Sequence, residues 1–499
     1  MNFDILKFSA KIICDDAVVD TRLETVANEN GFDLYITANE DKPKFVELHW
    51  DIESSADTLV LGDAWERSYG DLGFRKVSEN DRYSPWYFIA TDKKESFCLG
   101  VKTGTNSFVS FMYNSDGIKA LVDCRNGGNG VHLNGRKLCL ATFVFEKYNN
   151  ADIIGNLKCF CKKMCDNPIL PKEIVYGGNN WYYAYGDSSY EEIIADTKTQ
   201  VELAKGIENR PFQVIDDCWQ INECEGPWLP NEKFRDMKKL ADEIKELGAR
   251  PGIWVRLLNN KDEIFTDEMK LTKSGEGKYL DPTHPFVQAR IREDIERVVG
   301  WGYELLKHDF STYDMFGSWG RDMNDTISVN DGWHFYDKTK TNAEITLDLY
   351  RLIKETAGDM LIIGCNTISH LSAGLVHIYR TGDDTSGKEW ERTRKMGVNT
   401  LAFRLAQNRA FYMCDADCVG ILEGYIPWEK NKQWLHLLSH SNTPLFISCS
   451  ERITQEQKED IAAAYKVFHE EHEFSPIDIY DTLTPSKWLI DGETVEYNW

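Results

Sequence analysis

Hydrophobic and polar positions follow two rhythms along the chain, and the rhythm changes near residue 173. Before residue 150, short segments of alternating character, such as residues 58–61 and 87–90, are separated by turn signals at Asn106, 115–117 and 126–130. Alternation with a period of two is typical of strands, because successive side chains point to opposite faces of a sheet. Residues 1–150 are therefore predicted to form an N-terminal β-sandwich.

From residue 173 onward, short apolar runs alternate with amphipathic helical stretches. A helical linker marked by prolines, residues 151–172, separates this part from the first. Eight strand-then-helix units over roughly 275 residues predict a (β/α)8 TIM barrel, residues 173–473. A doubly wound open sheet has the same alternation, but no Gly-rich phosphate loop follows the first strand. The eight strand candidates are residues 174–176, 212–215, 252–255, 304–307, 361–364, 376–379, 410–413 and 445–448.

The last residues of the chain return to strand-like patterns. A helix is predicted over residues 455–471, followed by two strands within residues 477–499. An isolated hairpin is only marginally stable, so either these strands join another sheet or the chain stops inside a C-terminal β-domain. We expect the second arrangement, with residues 474–499 as the start of that domain.

The most informative charged residues close the fourth predicted strand, where Lys307 and Asp309 follow an apolar run. Alternate residues of a strand point to one face, so both charges are expected to face one cavity. Charged side chains are rarely buried unless they are paired or used, and barrel enzymes carry their chemistry at the carboxyl ends of the strands. Polar groups close four more of the predicted strands: Asp216-Asp217-Cys218-Trp219, Trp254 with Arg256, Arg380 with Asp383 and Asp384, and Asp415 with Asp417.

Helix capping and metal binding are the alternative interpretations of these residues. Aspartate is a common helix N-cap, and capping stays open for Asp415 and Asp417, whereas Lys307 and Arg380 cannot cap a helix N-terminus. No histidine pair has ligand spacing and the nearby cations would repel a metal ion, so we predict no metal and no cofactor. A carboxylate pair among hydrogen-bonding and aromatic groups instead indicates cleavage of a glycosidic bond.

Composition narrows the class of partner. The net charge of −24, from 57 basic and 81 acidic residues, repels phosphate backbones and anionic lipids, so neither nucleic acid nor a membrane is expected as a partner.

The first residues lack a signal peptide, so a cytoplasmic location is expected. The 13 cysteines are interpreted as thiols, and zinc at Cys159, Cys161 and Cys165 is disfavoured because no second cluster matches them. Aromatic residues make up 12% of the chain, which suits stacking on sugar rings and equally suits aromatic-rich β-domains.

Three motifs resemble those of the α-galactosidases of glycoside hydrolase families 27 and 36, over about residues 176–448. Residues 215–219 are similar to a second-strand motif whose two aspartates bind galactose hydroxyls. Residues 306–310 resemble a Lys-x-Asp motif, which implies that Asp309 is the nucleophile and that Lys307 contacts the sugar. Residues 380–384 resemble an Arg-x-x-x-Asp segment, which implies that Asp384 is the acid/base; Asp383 is the rival and would otherwise be a helix cap. Family 36 is the closer match, because its members also begin with a β-sandwich.

This resemblance implies a retaining, exo-acting glycoside hydrolase that releases terminal α-galactose by double displacement. Asp309 would attack the anomeric carbon, while Asp384 would protonate the leaving oxygen and then activate water. The two carboxyl groups are therefore expected about 5–5.5 Å apart. Lys307 and Arg380 are expected to keep Asp309 ionised, and Asp384 is expected to lie farther from cations than Asp309, because an acid must hold its proton.

The remaining expected contacts belong to the sugar pocket. Residues 311–342, rich in Tyr, Phe and Trp, are predicted to form a long loop over it. Cys365, Asn366 and Arg256 depart from the family's pattern, and such positions are expected to set the choice between a hydroxyl and an acetamido group on the sugar. The predicted substrate-binding residues are Asp216, Asp217, Arg256, Lys307, Cys365, Asn366 and Arg380, with Trp181, Trp219 and Trp254 as pocket walls or, alternatively, as barrel-end packing.

Three functions stay open on the sequence. The first is an α-galactosidase, and the second is an α-N-acetylgalactosaminidase or a transglycosylating relative with the same carboxylate pair. The third, a non-catalytic sugar-binding barrel protein, is disfavoured because both proposed catalytic carboxylates are present. A small carbohydrate is the expected partner, and homo-oligomers are expected by analogy, since the N-terminal sandwich presents sheet edges.

Overall fold

The computed structural model describes residues 3–53, 55, 57–272, 279–327 and 330–499. Up to residue 148 the chain forms short strands joined by turns. These strands are β1 (Ser9–Cys14), β2 (Arg22–Asn28), β3 (Gly31–Thr37), β4 (Pro43–Trp50), β5 (Leu59–Gly62), β6 (Arg75–Lys76), β7 (Ser84–Pro85), β8 (Tyr87–Thr91), β9 (Ser96–Val101), β10 (Phe108–Asn114), β11 (Gly117–Asp123) and β12 (Lys137–Tyr148).

The N-terminal strands form two antiparallel sheets whose faces contact each other. One sheet has the order β1-β4-β11-β10-β7, and the other has the order β2-β3-β12-β9-β8-β5-β6. Trp50 and Phe111 belong to the first sheet, and both rings contact Phe143 of the second at centroid distances of 6.2 and 6.1 Å. Buried aromatic rings contribute large apolar areas, so this aromatic layer is a main source of the packing energy between the sheets.

Helix α1 (Ile153–Met164) follows the two sheets. Its N-cap is Asp152, whose side chain accepts a hydrogen bond from the Gly155 backbone N–H at 3.0 Å. The three clustered cysteines lie on different sides: Cys161 and Cys165 are buried, and Cys159 is exposed. In the described part of the chain, no group of three or more His, Cys, Asp or Glu side chains is placed to hold a metal ion.

A nine-stranded sheet follows, and every neighbouring pair of its strands is parallel. In chain order the strands of this part are β13 (Tyr176–Asn179), β14 (Phe212–Ile215), β15 (Gln220–Asn222), β16 (Glu225–Pro230), β17 (Arg250–Val255), β18 (Leu305–His308), β19 (Leu361–Gly364), β20 (Ile378–Arg380), β21 (Met413–Asp415), β22 (Val419–Gly420) and β23 (Leu445–Ser448). The sheet order is β21-β20-β19-β18-β17-β14-β13-β23-β22, and β15 with β16 forms a separate hairpin. Only residues 416–418 separate the end strands β21 and β22, so the arrangement is that of a TIM-like domain.

Each of the eight predicted apolar runs overlaps a strand of this sheet. Three runs coincide with β14, β19 and β23 at both ends. The run at 174–176 shares only Tyr176 with β13. The rest of that strand, Gly177, Gly178 and Asn179, has no apolar side chains by which it could be predicted. Those residues are a strand because their backbone pairs with β14 on one side and β23 on the other. Pairing of this kind is non-local and leaves no trace in hydrophobic periodicity.

Helices alternate with the parallel strands, and their ends follow local sequence signals. Helices α7 (Asn342–Ala357) and α12 (Gln455–Val467) begin at capping boxes, formed by Thr341 with Glu344 and by Thr454 with Gln457. No helix in the ranges that the structure describes is long and apolar enough to cross a membrane. The helices are α2 (Trp181–Ala184), α3 (Tyr190–Leu203), α4 (Met237–Glu246), α5 (Pro285–Trp301), α6 (Ser311–Phe316), α7 (Asn342–Ala357), α8 (Ser369–Ser372), α9 (Trp390–Thr393), α10 (Asn399–Arg404), α11 (Trp428–Ser439) and α12 (Gln455–Val467).

The predicted loop differs from the structure in part, whereas the predicted C-terminal strands are present. The predicted loop over residues 311–342 begins with α6, so it is only partly a loop. The two strands predicted within residues 477–499 are present as β25 (Lys487–Ile490) and β26 (Glu493–Glu496), and they form a three-stranded antiparallel sheet with β24 (Phe474–Pro476), which precedes that range. The connection between β24 and β25 contacts the N-terminal part through the ring of Tyr480, whose centroid lies 4.7 Å from that of the Phe74 ring.

Residues 63–69, called the docking segment below, lie between β5 and β6 and form contacts between the N-terminal sheets and the domain of the parallel sheet. Asp63 forms a buried ion pair with Arg404 of α10 at 2.7 Å. The Ser68 backbone N–H donates to the Thr381 carbonyl at 2.9 Å, and the Asp383 N–H donates to the Ser68 carbonyl at 2.8 Å. The docking segment therefore lies against the residues that directly follow β20.

We expect Arg404→Met to lower the free energy of unfolding by about 3–5 kcal/mol, because it leaves the Asp63 carboxyl buried without its cation. Chemical denaturation measures this loss. The double variant Asp63→Leu/Arg404→Met removes both charges and is the matched control, expected to recover at least about half of the loss. Equal stability of the single and double variants would show that the ion pair does not hold the docking segment in place.

Candidate active site

The carboxyl ends of β14 and β18 bring two of the predicted residues into direct contact. Lys307 Nζ lies 2.6 Å from Asp216 Oδ2, and both side chains are buried. Asn179 at the end of β13 donates its side-chain N–H to the same oxygen at 2.8 Å. Burial alone would lower the pKa of Lys307, and the ion pair with Asp216 raises it well above the usual range. Lys307 is therefore a fixed positive charge at this end of the sheet.

Asp309 is held by three N–H donors. Its Oδ1 accepts hydrogen bonds from the backbone N–H groups of Phe310 at 2.7 Å and Asn366 at 3.1 Å. Its Oδ2 accepts from the indole N–H of Trp254 at 3.1 Å. Phe310 has a φ of 63°, a left-handed conformation that a bulky residue adopts only when its surroundings require it. These contacts fix the direction in which the Asp309 carboxylate points.

Asp384, in contrast, is surrounded by cations. Its Oδ1 lies 3.0 Å from Arg380 Nη2 and 3.5 Å from Nη1 of Arg67, which belongs to the docking segment. Burial raises the pKa of Asp384, but Arg380 and Arg67 outweigh it and lower the pKa to about 2. No ion pair to Asp309 is found among the residues the structure describes. The prediction that Asp384 lies farther from cations than Asp309 is therefore wrong.

Asp383 occupies a different environment from its neighbour. Its two carboxyl oxygens pair with Arg67 at 3.1 Å and with Arg392 at 2.7 Å, and its side chain is 7% exposed against 35% for Asp384. No helix begins at Asp383, because α9 starts later and has Glu389 as its N-cap. The prediction of a capping role for Asp383 is wrong, and its carboxyl group is already fully engaged. Of the two, Asp384 is the carboxyl group that a ligand can reach.

Arg380 links Asp384 to residues at the end of β21. Its Nη2 also donates to the Asp417 carboxylate and, at 3.0 Å, lies next to the Tyr182 hydroxyl. Asp417 further accepts from the Thr385 backbone N–H at 2.7 Å. Burial raises the pKa of Asp415 to about 6. Neither Asp415 nor Asp417 precedes a helix, since β22 follows them, so the capping interpretation of these two residues is wrong.

The Asp217 and Trp219 side chains of the second-strand motif are turned into the protein. Asp217 Oδ1 accepts hydrogen bonds from the Gln220 side chain at 2.6 Å and from the backbone N–H groups of Cys218 and Cys224. Burial raises the pKa of Asp217. Trp219 is 0% exposed and donates to the Trp254 carbonyl at 2.9 Å. Trp219 is therefore barrel-end packing, the alternative left open for the three tryptophans.

The other two wall candidates, Trp254 and Trp181, have different surroundings. Trp254 is also buried, and its indole N–H is committed to Asp309. Trp181 is half-buried, and its ring contacts Tyr185 at a centroid distance of 5.9 Å. Of the three tryptophans, Trp181 is the one that is not fully buried.

Arg256 supports the site from behind. Its Nη2 pairs with Asp314 of α6 at 2.7 Å, and its guanidinium lies 4.0 Å from the centre of the Phe310 ring. Hydrogen bonds to Asp314 raise the pKa of Arg256 against the effect of its burial. Arg256, which departs from the family's pattern, is therefore committed to Asp314 and to Phe310, the residue that follows Asp309.

Cys365 and Asn366, the residues expected to choose between sugars, are both buried. Asn366 donates its backbone N–H to Asp309, and its side-chain oxygen accepts from the Tyr313 backbone N–H at 3.1 Å. Its side-chain N–H donates to Glu66 of the docking segment. Cys365 Sγ lies 3.9 Å from Arg380 Nη1. Asn366 therefore holds Asp309 through its backbone N–H, while its side chain links Tyr313 to Glu66, and Cys365 contacts the arginine that pairs with Asp384.

Sequence reasoning missed Glu66 and Arg67, which the docking segment places among the residues of the parallel sheet. Burial raises the pKa of Glu66 to about 7. Arg67 is buried, and its guanidinium lies 5.2 Å from the centre of the Trp319 ring. Neither residue stands in a motif or at the end of a parallel strand, so no local pattern could have identified them.

Comparison with known proteins identifies the fold. No protein-family model matches the sequence. The structure resembles the α-galactosidase TtGalA from Thermus thermophilus, with a TM-score of 0.65 and 15% identity over 95% of this chain and 99% of that one. It also resembles the family 36 α-galactosidase AgaA from Geobacillus stearothermophilus, with a TM-score of 0.60 and 14% identity over 97% of this chain and 77% of that one. A cycloalternan-degrading enzyme from Trueperella pyogenes has a TM-score of 0.54 and 12% identity, over 87% and 65% of the two chains.

These comparisons show that the chain has a fold that is also found in sugar-processing enzymes. Within that class, two of the three similar structures named above are α-galactosidases, and AgaA is assigned to family 36. The TIM-like domain expected from the resemblance of the three motifs is therefore found.

Proposed function

We propose that the protein is a retaining, exo-acting glycoside hydrolase that releases terminal α-galactose by double displacement. The observation that carries the proposal is the Asp309 carboxylate, aimed by three N–H donors beside the Lys307–Asp216 pair. TtGalA has been solved with a nitrophenyl α-galactoside and with stachyose, which supports an α-galactoside as the substrate class. In this proposal the full architecture is an N-terminal β-sandwich (1–150), a linker (151–172), a (β/α)8 barrel (173–473) and a C-terminal β segment (474–499).

The proposed mechanism assigns one role to each carboxyl group. Asp309 attacks the anomeric carbon and forms a glycosyl ester, while the leaving oxygen takes its proton from Asp384. Asp384 then removes a proton from water, which displaces Asp309 and releases the sugar with its configuration retained. Lys307 and Asp216 bind sugar hydroxyls through charge-assisted hydrogen bonds. The cycloalternan-degrading enzyme was solved with a covalent intermediate, which supports such a route on this fold.

A second candidate, a sugar-binding protein without catalysis, is favoured by one observation. Arg380 and Arg67 hold Asp384 as an anion in the free protein, whereas the first chemical step needs a protonated acid. If Asp384 stays an anion when a sugar is bound, the site binds the sugar and does not cleave it. The α-N-acetylgalactosaminidase or transglycosylating alternative has the same carboxylate pair and differs only in the sugar or the acceptor.

Hydrolysis assays separate these functions. We expect release of nitrophenol from p-nitrophenyl α-D-galactoside, at least about tenfold faster than from the α-N-acetylgalactosaminide, with α-galactose as the first product seen by proton NMR. Appearance of β-galactose first would exclude the retaining mechanism. Calorimetric binding of galactose without any release of nitrophenol would establish the binding protein instead. A cytoplasmic location and homo-oligomers stay predictions, which cell fractionation and light scattering would test.

A further inference from the structure

Two consecutive residues of the docking segment are linked to the two proposed catalytic carboxylates, Arg67 by an ion pair and Glu66 through Asn366. Arg67 lies 3.5 Å from Asp384 Oδ1 through Nη1 and 3.1 Å from Asp383 Oδ1 through Nη2. Glu66 accepts the side-chain N–H of Asn366, whose backbone N–H donates to Asp309 Oδ1 at 3.1 Å. The N-terminal part of the chain therefore contributes to the geometry of both carboxylates, directly at Asp384 and through Asn366 at Asp309.

The docking segment is fixed at several points, so Arg67 has a defined position. Glu66 Oε1 accepts the Gly320 backbone N–H at 2.7 Å, and Ser68 exchanges two backbone hydrogen bonds with the residues that follow β20. The Arg67 guanidinium is covered on one side by the Trp319 ring. A buried arginine held in this way loses little entropy when it forms its ion pairs.

The charges that face Asp384 come from several elements. Arg380 on β20 is shared with Asp417 and with the hydroxyl of Tyr182 on α2. Lys307 on β18 and Arg392 on α9 add further positive charge at longer range. Arg67 is the cation among these that comes from outside the parallel sheet and its helices.

Resting on the proposed function, we propose that Arg67 is a positioning residue that aims the acid/base Asp384 and sets the pH above which the site loses its acid. A guanidinium within about 4–6 Å favours the charged form of a carboxyl group, so its removal makes Asp384 keep its proton to higher pH. Arg380 cannot be varied alone for this purpose, because it also binds Asp417. Arg67 offers a separate means of changing the charge around Asp384.

The test compares Arg67→Met with Arg67→Lys in the full chain. The alkaline limb of the kcat profile for p-nitrophenyl α-D-galactoside reports the proton of the acid in the enzyme–substrate complex. We expect Arg67→Met to move this limb upward by about one pH unit or more, and Arg67→Lys to leave it within about half a unit of the original. Arg82→Met is the matched control, since Arg82 pairs with Asp71 in the same part of the chain, and its profile should not move.

A second readout keeps this inference separate from the proposed function. Carboxyl ¹³C NMR of aspartate-labelled protein, with the signal assigned through Asp384→Asn, follows the titration of Asp384 whether or not the protein cleaves a sugar. An upward shift in Arg67→Met supports the inference, and an unmoved titration in a variant that unfolds at the original temperature overturns it. Absence of turnover by the unmodified protein overturns the proposed function and not the effect of Arg67 on Asp384.

Discussion

Replacing Asp309 with asparagine is expected to lower kcat/KM for an α-galactoside by at least about 10³-fold, without a change in fold. Asparagine has the same shape and still accepts from Trp254 or from the backbone, so the site stays packed, but it cannot form the glycosyl ester. Steady-state kinetics measure the loss, and circular dichroism checks the fold. Asp294→Asn is the matched control, because Asp294 is equally buried on α5 and pairs with Arg297, away from the site.

The identity of the nucleophile can be read from the stereochemistry of rescue. In Asp309→Gly, azide is expected to take the place of the missing carboxylate and to attack the α-galactoside directly, which gives β-galactosyl azide. NMR of the product distinguishes the two anomers. If Asp309→Asn kept more than about a tenth of the original kcat/KM, or if azide gave no galactosyl azide with Asp309→Gly, another residue would have to be the nucleophile.

Replacing Asp384 with alanine is expected to lower kcat/KM by about 10²–10⁴-fold for an oligosaccharide and far less for a nitrophenyl galactoside. A nitrophenolate leaves without a proton, whereas a sugar alkoxide needs one from the acid. Azide is expected to speed turnover of the nitrophenyl substrate by this variant and to give α-galactosyl azide, because it attacks the intermediate on Asp309 from the opposite face.

Asp383→Ala is the control for this assignment. Asp383 is bound on both sides by Arg67 and Arg392, so its loss is expected to reduce activity similarly for good and poor leaving groups and to leave azide without effect. Azide rescue of Asp383→Ala, without rescue of Asp384→Ala, would exchange the roles of the two residues.

Much of the fold follows from local signals in the chain. The apolar runs at 212–215, 361–364 and 445–448 coincide with strands of the parallel sheet, because each is a short buried segment between polar turns. The caps at Thr341 and Thr454 likewise start helices through side chains three residues apart. Strand β13 was predicted only in part, because Gly177, Gly178 and Asn179 form a strand through backbone pairing with neighbouring strands and have no apolar pattern of their own.

The chemistry at the strand ends divides in a similar way. Lys307 and Asp309 could be identified from the chain, because two charges closing an apolar run are costly unless they are used. The partners of these residues could not be identified from the chain. Lys307 was expected near Asp309 and forms its ion pair with Asp216, and the arginines cluster around Asp384. Ion-pair partners are chosen by distance in space, which alternation along a strand does not specify.

By itself, then, the sequence determined which residues carry the candidate chemistry and that they follow parallel strands, since strand alternation, apolar burial and helix capping all act within a few residues. The tertiary structure alone decided how those residues are charged and aimed. Glu66 and Arg67 lie in the N-terminal part of the chain, far in sequence from Asp309 and Asp384, and no short-range pattern records their approach. Because a Coulomb interaction depends on the final separation of the groups and on the burial around them, the protonation of Asp384 is a property of the folded molecule.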